Sequence, residues 1–154
     1  MDRKRQIEVK MGEYRVGKDG DVLSAQGLGS CVAVCLYDED RELGGLAHVM
    51  LPEGEDEDSD KYAENIIHDL MDEIREEGSG PEDLIAKIFG GAHVVSETIN
   101  VGDKNVESVR KILKRMDIDL RVQEVGGDTG RSIWLNCRSG KVVVRKPFEA
   151  TEIF

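Results

Sequence analysis

Cys31 closes a glycine-bracketed segment in GLGSCVAVCLYD, and His48 follows seventeen residues later in GGLAHVMLP. A thiol beside an imidazole is the smallest unit that can attack an amide carbonyl. The imidazole takes the thiol's proton and later hands one to the leaving nitrogen. A free thiol, with a pKa of about 8.5, is only slightly ionised at neutral pH, so the thiolate needs local stabilisation from a protonated His48 and nearby backbone amides.

For the two side chains to meet, the chain between them must fold back in one register. Residues 31–37, CVAVCLY, and 44–51, GGLAHVML, are short and apolar, and the polar DEDREL between them reads as a turn, so the segment is expected to form a β-hairpin. Pairing Tyr37 with Gly44 puts Ala33 opposite His48 and Cys31 opposite Met50. Alternate side chains share a face, which makes Cys31 and His48 diagonal neighbours about 7 Å or less apart. A slip of one residue would separate them onto opposite faces.

Gly27 and Gly29 permit a sharp turn and a close backbone approach. Amides around Gly29, Ser30 and Cys31 are therefore candidates to hold the oxyanion that forms when a thiolate adds to an amide carbon. A dinucleotide loop is a poor match, because Val32 stands where the third glycine belongs and a strand pattern follows. Cys35 and Cys137 read as small core residues, His68 as solvated on the polar face of a helix, and His93 as structural. No metal site is expected: Cys31 and Cys35 on one strand would lie about 13 Å apart, and there is no CxxC or HxxxH spacing.

The rest of the chain must supply a scaffold for that pair. Its 154 residues suit one domain with a real core, expected to span 1–154, with a body of about 10–146 and a tail at 147–154. A net charge of −11 argues against nucleic-acid partners, which need clustered Lys and Arg. The three cysteines lack framework spacing and the N-terminus MDRKRQIEVKMGEY has no apolar run, so a reducing cytoplasm is the expected compartment. Apolar stretches are of strand length only, so no membrane insertion is expected. The acidic run EGEDEDSD at 53–60 reads as a solvated loop.

Strands are expected at Gln6 to Met11 and Val22 to Ser24, then the hairpin. Lys61 to Glu77 reads as a helix with Tyr62, Ile66, Ile67, Leu70, Met71 and Ile74 on its apolar stripe. After a strand at Ala86 to Phe89, a second helix is expected from near Asp103, burying Val106, Val109, Ile112, Leu113 and Met116. Strands at Leu120 to Val125, Ser132 to Asn136 and Lys141 to Arg145 complete the set, and the tail KPFEATEIF is read as packing on the body or fraying. This order predicts an α+β sandwich, a mostly antiparallel β-sheet packed with two main helices and without internal repeats.

On these residues the chain resembles the CheD family of chemoreceptor glutamine deamidases. GLGSCVAVCLYD resembles the nucleophile segment, GGLAHVMLP the histidine segment and IFGGA a central strand and turn, while NVGDKNVESVRKIL and VGGDTGRSIWLN resemble the second helix and the turn after it. The match runs in order from about Lys10 to Arg145. The resemblance implies a protein-glutamine glutaminase, with Cys31 as nucleophile and His48 as base and acid, acting without a cofactor on a chemoreceptor glutamine. It also implies a CheC-type phosphatase as partner. One departure stands out: the family commonly has a threonine six residues before the cysteine, whose hydroxyl completes a triad, and this chain has Ala25. Ser24 is adjacent but points to the other face of an extended chain. A backbone carbonyl or a water must then orient His48, or the site is slow. The alternative reading is a regulatory binding module working chiefly through the phosphatase.

Overall fold

The computed structural model describes residues 5–52, 62–93 and 100–154, so the acidic run at 53–60 lies outside the described residues. In chain order the strands and helices are β1 (Gln6–Glu8), β2 (Tyr14–Gly17), β3 (Val22–Leu28), β4 (Val32–Asp38), β5 (Leu43–Val49), α1 (Ala63–Glu76), β6 (Ile85–Gly90), α2 (Val101–Arg115), β7 (Asp119–Val125), β8 (Arg131–Asn136), β9 (Val142–Arg145) and β10 (Glu152–Ile153). They make two five-stranded sheets, ordered β1-β3-β8-β9-β10 and β2-β5-β4-β6-β7. Among the described strands only the β1–β3 and β6–β7 pairs are parallel. The expected α+β sandwich is the observed one.

β4 lies at the centre of the second sheet and is buried along its whole length, which is why CVAVCLY reads as a continuous apolar run. Its two faces serve two cores. Val32, Val34 and Leu36 meet the helix side, packing with Ile66, Ile67 and Leu70 of α1 and Val109 and Leu113 of α2. Each such fully buried aliphatic side chain contributes about 1.5–3 kcal/mol relative to exposure. Ala33 and Cys35 point the other way, into the layer between the sheets, where they join Leu46, Phe89, Leu23, Ala25 and Ile133.

The hairpin of β4 and β5 takes the expected register: Tyr37 pairs with Gly44, and Ala33 with His48. The ladder ends at Val32 and Val49, however, so the expected Cys31–Met50 pair is not part of it. Beyond that point the Cys31 carbonyl accepts from the Gly91 amide at 2.8 Å and the Gly29 carbonyl from the Ala92 amide at 2.8 Å. The chain before β4 is thus tied to the end of β6.

This crossing needs glycine. Gly90 has φ +108°, and a Cβ there would stand 2.3 Å from the Cys31 carbonyl oxygen. Gly102, in the first turn of α2, would put a Cβ 2.3 Å from the Ala92 carbonyl, so the helix backbone rests directly on the 90–92 turn.

Elsewhere the differences from expectation are local. β3 runs on to Leu28 through a register shift between Ala25 and Leu28, with Gly27 at φ +68°, so the glycine segment is a bulged strand end and not a turn after a short strand. β2, unforeseen in the sequence, pairs with β5 at the sheet edge. The tail returns as β10 beside β9, bringing the Phe154 ring 6.0 Å from that of Phe89, while Phe148 stays fully exposed. Gly90→Ala should therefore cost about 1–3 kcal/mol from backbone strain alone, with the clash at Cys31 in addition. Urea unfolding measures it, and an unchanged midpoint would contradict this account of the crossing.

Candidate active site

Cys31 is half-buried and packs against the inter-sheet core, on the same side of β4 as Ala33 and Cys35. His48 is 2% exposed. On β5, Ala47 and Val49 face the helices and Leu46 faces the other sheet, so alternation turns His48 into the inter-sheet layer as well. The fold therefore brings both residues to one side of one sheet, at the end where the β4–β5 ladder opens.

The imidazole is gripped from the chain's first turn. His48 Nδ1 lies 2.9 Å from the Val9 carbonyl oxygen. A carbonyl can only accept, so Nδ1 carries the proton and Nε2 presents its lone pair. Val9 is itself fixed, its amide donating to the Ser24 carbonyl at 2.7 Å. His48's own backbone is held by 3.0 Å bonds in which its amide donates to the Glu13 carbonyl and its carbonyl accepts from the Gly12 amide. The segment 9–13 thus holds both the backbone and the ring of the histidine.

Burial lowers the His48 pKa, opposed by the Val9 bond and by the charges of Glu13 and Glu8. The ring is accordingly neutral at neutral pH, the form a general base requires. Nε2 is buried and has no hydrogen-bond partner among the described residues.

Ala25 occupies the layer facing this pair from β3, fully buried and opposite Ile133. Leu23 and Ala25 face inward, while Ser24 accepts a 3.4 Å hydrogen bond from Gln26 Nε2. The carbonyl named as one option from sequence is the partner of His48, and it belongs to Val9.

The loop that presents Cys31 is held through its carbonyls. Besides the bonds at Gly29 and Cys31, Asn105 Nδ2 of α2 donates to the Ser30 carbonyl at 2.8 Å. Among the described hydrogen bonds none uses the amide of Gly29 or Ser30 as donor. Those two N–H groups are the oxyanion candidates.

The remaining candidates fall away from the site. Cys35 and Cys137 are buried, and burial raises both thiol pKa values, that of Cys137 to about 12. His68 is half-exposed and sits 3.1 Å from Glu64 on α1. His93 is exposed and its backbone amide bonds to the Gly127 carbonyl. Val9 and Asn105 escaped sequence reasoning. The first acts through its backbone, which leaves no trace in residue type, whereas the second is a polar residue at a buried helical position and could have been noticed.

The family model described as CheD chemotactic sensory transduction matches residues 50–146. The chain belongs to the CheD family. Chemoreceptor glutamine deamidase CheD of Thermotoga maritima is 43% identical over 141 residues, covering 90% of each chain. A probable chemoreceptor glutamine deamidase CheD of Methanococcus vannielii is 37% identical over 153 residues, covering 96% of this chain and 99% of that one. Another from Pyrococcus abyssi is 38% identical over 150 residues, with 92% of each chain covered. The CheD model begins at Met50, downstream of Cys31 and His48, but matches spanning 90% or more of the chain take in both positions.

Because the Val9 carbonyl already holds the ring, a hydroxyl at position 25 has no vacant role. Ala25→Thr should raise kcat not at all and cost about 1–3 kcal/mol by overpacking a full core position. Steady-state kinetics and thermal melting check this, and a gain of about tenfold or more would show that the ring lacked orientation.

Proposed function

We propose that this chain is a chemoreceptor glutamine deamidase in which Cys31 is the nucleophile and His48 the general base and acid. The observation that carries the reading is the His48 ring, buried and held by the Val9 carbonyl at Nδ1, which leaves Nε2 as its basic nitrogen on the face it shares with Cys31. Family membership supports the substrate class, since the relatives are named for deamidating chemoreceptors.

The reaction follows from those groups. His48 Nε2 takes the thiol proton as Cys31 Sγ bonds to the carbonyl carbon of a receptor glutamine side chain, and the amides of Gly29 and Ser30 face the oxyanion. The tetrahedral centre collapses when Nε2 returns the proton to the nitrogen, breaking the C–N bond and releasing ammonia. Water then loses a proton to Nε2 and adds to the thioester; collapse expels the thiolate, which takes that proton back from Nε2, and the glutamic acid formed ionises to glutamate. Protein groups alone supply each proton transfer, so no cofactor enters the proposal.

An open groove beside the nucleophile loop, lined by Gly27, Gly29, Ser132, Arg145 and the exposed Phe148, offers a receptor segment a place to lie. Receptor cytoplasmic regions imply a cytoplasmic protein, and the described helices include none long and apolar enough to cross a membrane. A CheC-type phosphatase as partner belongs to the same proposal and rests on the family resemblance. The purely regulatory alternative drew its force from the missing threonine. The Val9 carbonyl, in the place a hydroxyl would serve, weakens that motive.

Incubation with the cytoplasmic fragment of a cognate receptor tests the reading. Wild type should convert particular glutamines to glutamate, read by mass spectrometry, and Cys31→Ala should lose about a thousandfold or more of that rate. Iodoacetamide should label Cys31 well before Cys35 and Cys137. Conversion by Cys31→Ala at the wild-type rate, or none by wild type, would overturn the assignment.

A further inference from the structure

Asn105 is fully buried in α2, and its single amide nitrogen donates to two carbonyls, that of Ser30 at 2.8 Å and that of Met50 at 3.0 Å. Both acceptors are backbone carbonyls, which settles the amide's orientation: the NH2 group faces them and Oδ1 faces away. Oδ1 is buried without a partner among the described residues. A fold that keeps a buried polar group half-satisfied retains it for what its other half does.

The two carbonyls have a particular meaning in the hairpin. Ser30 immediately precedes Cys31, and Met50 lies two residues past His48. The β4–β5 ladder stops at Val32 and Val49, one residue short of the level of Cys31. Past that pair the strand register no longer sets the spacing of the two arms. Asn105 spans that opening, one hydrogen to each arm, from a helix whose first turn rests on the Gly91–Ala92 segment that holds Cys31 and Gly29 from the other side.

We infer that Asn105 is a positioning residue for the reaction, a cross-link that sets the Cys31 arm against the His48 arm where the strand ladder no longer does. This rests on the proposed roles of Cys31 and His48. Asn105 touches neither substrate nor the reacting atoms, and it acts through the backbone of the two residues it binds. One turn along the same helix, Ser108 Oγ donates to the Pro52 carbonyl at 3.0 Å, a helix-to-backbone tie of the same kind to one arm only. It is a matched control.

The test compares Asn105→Ala, Asn105→Ser, Asn105→Asp and Ser108→Ala with wild type in the full chain. Three readouts are taken: thermal melting, the iodoacetamide rate at Cys31, and kcat and KM on a receptor cytoplasmic fragment. Displacement of a reacting group by an ångström costs on the order of a hundredfold, so the Asn105 variants should lose about tenfold to a hundredfold in kcat, with KM nearly unchanged. Their Cys31 alkylation should slow in parallel. Ser108→Ala should melt lower than wild type yet keep wild-type kcat and alkylation.

Asn105→Ser retains one donor and keeps the test decisive should the alanine variant fail to fold. Folded Asn105 variants with wild-type kcat and alkylation would overturn the inference, as would Ser108→Ala losing as much activity as they do. The alkylation arm needs no substrate. A wild type that deamidates nothing, while Asn105 variants still slow alkylation, would sink the deamidase reading and leave the positioning role standing.

Discussion

The hydrogen bond from His48 Nδ1 to the Val9 carbonyl is the contact on which the site depends. A neutral imidazole has one N–H and one lone pair, and whichever nitrogen is committed to a carbonyl decides where the basic nitrogen points. Here the commitment is made by the backbone of the chain's first strand region, pinned in turn to the Ser24 carbonyl of β3. The histidine thus belongs to one sheet while its orientation is set by the other. Any relative shift of the two sheets would loosen the ring, so the inter-sheet core of Leu23, Ala25, Ala33, Leu46 and Ile133 is also the bedding of the imidazole.

Burial of His48 makes stability depend on pH. The depressed pKa means that the unfolded chain takes up a proton before the folded one does. The stability contributed by this group is therefore full above the ordinary histidine range and is lost as pH falls through it towards the lower folded value. The orphaned Nε2 and Asn105 Oδ1 carry a similar meaning, since a core optimised only for stability would satisfy both.

The hairpin was legible because two apolar runs with a polar turn between them admit few registers, and a period of two then places Cys31 and His48 on one face without coordinates. Both helices were legible from their stripes, with α1 and α2 burying the expected Ile66, Leu70, Val109 and Leu113. β2 was missed because YRVG is a four-residue edge strand with no strongly buried side chain to mark a pattern, and β10 because two residues carry no period at all. The end of the ladder before Cys31 was invisible for a different reason. It is decided by Gly90, Gly91 and Asn105, residues 59 or more positions away, whose effect on the Cys31 loop exists only after folding. Val9 is the extreme case, a valine whose side chain says core and whose carbonyl orients the His48 imidazole.

The most direct measurement is nitrogen-detected NMR of the His48 imidazole across a pH titration. The account predicts an Nδ1-protonated neutral ring at neutral pH, with Nε2 unprotonated and a titration midpoint below the usual histidine range. A ring protonated on Nε2 in its neutral form, or one that titrates above that range, would contradict it.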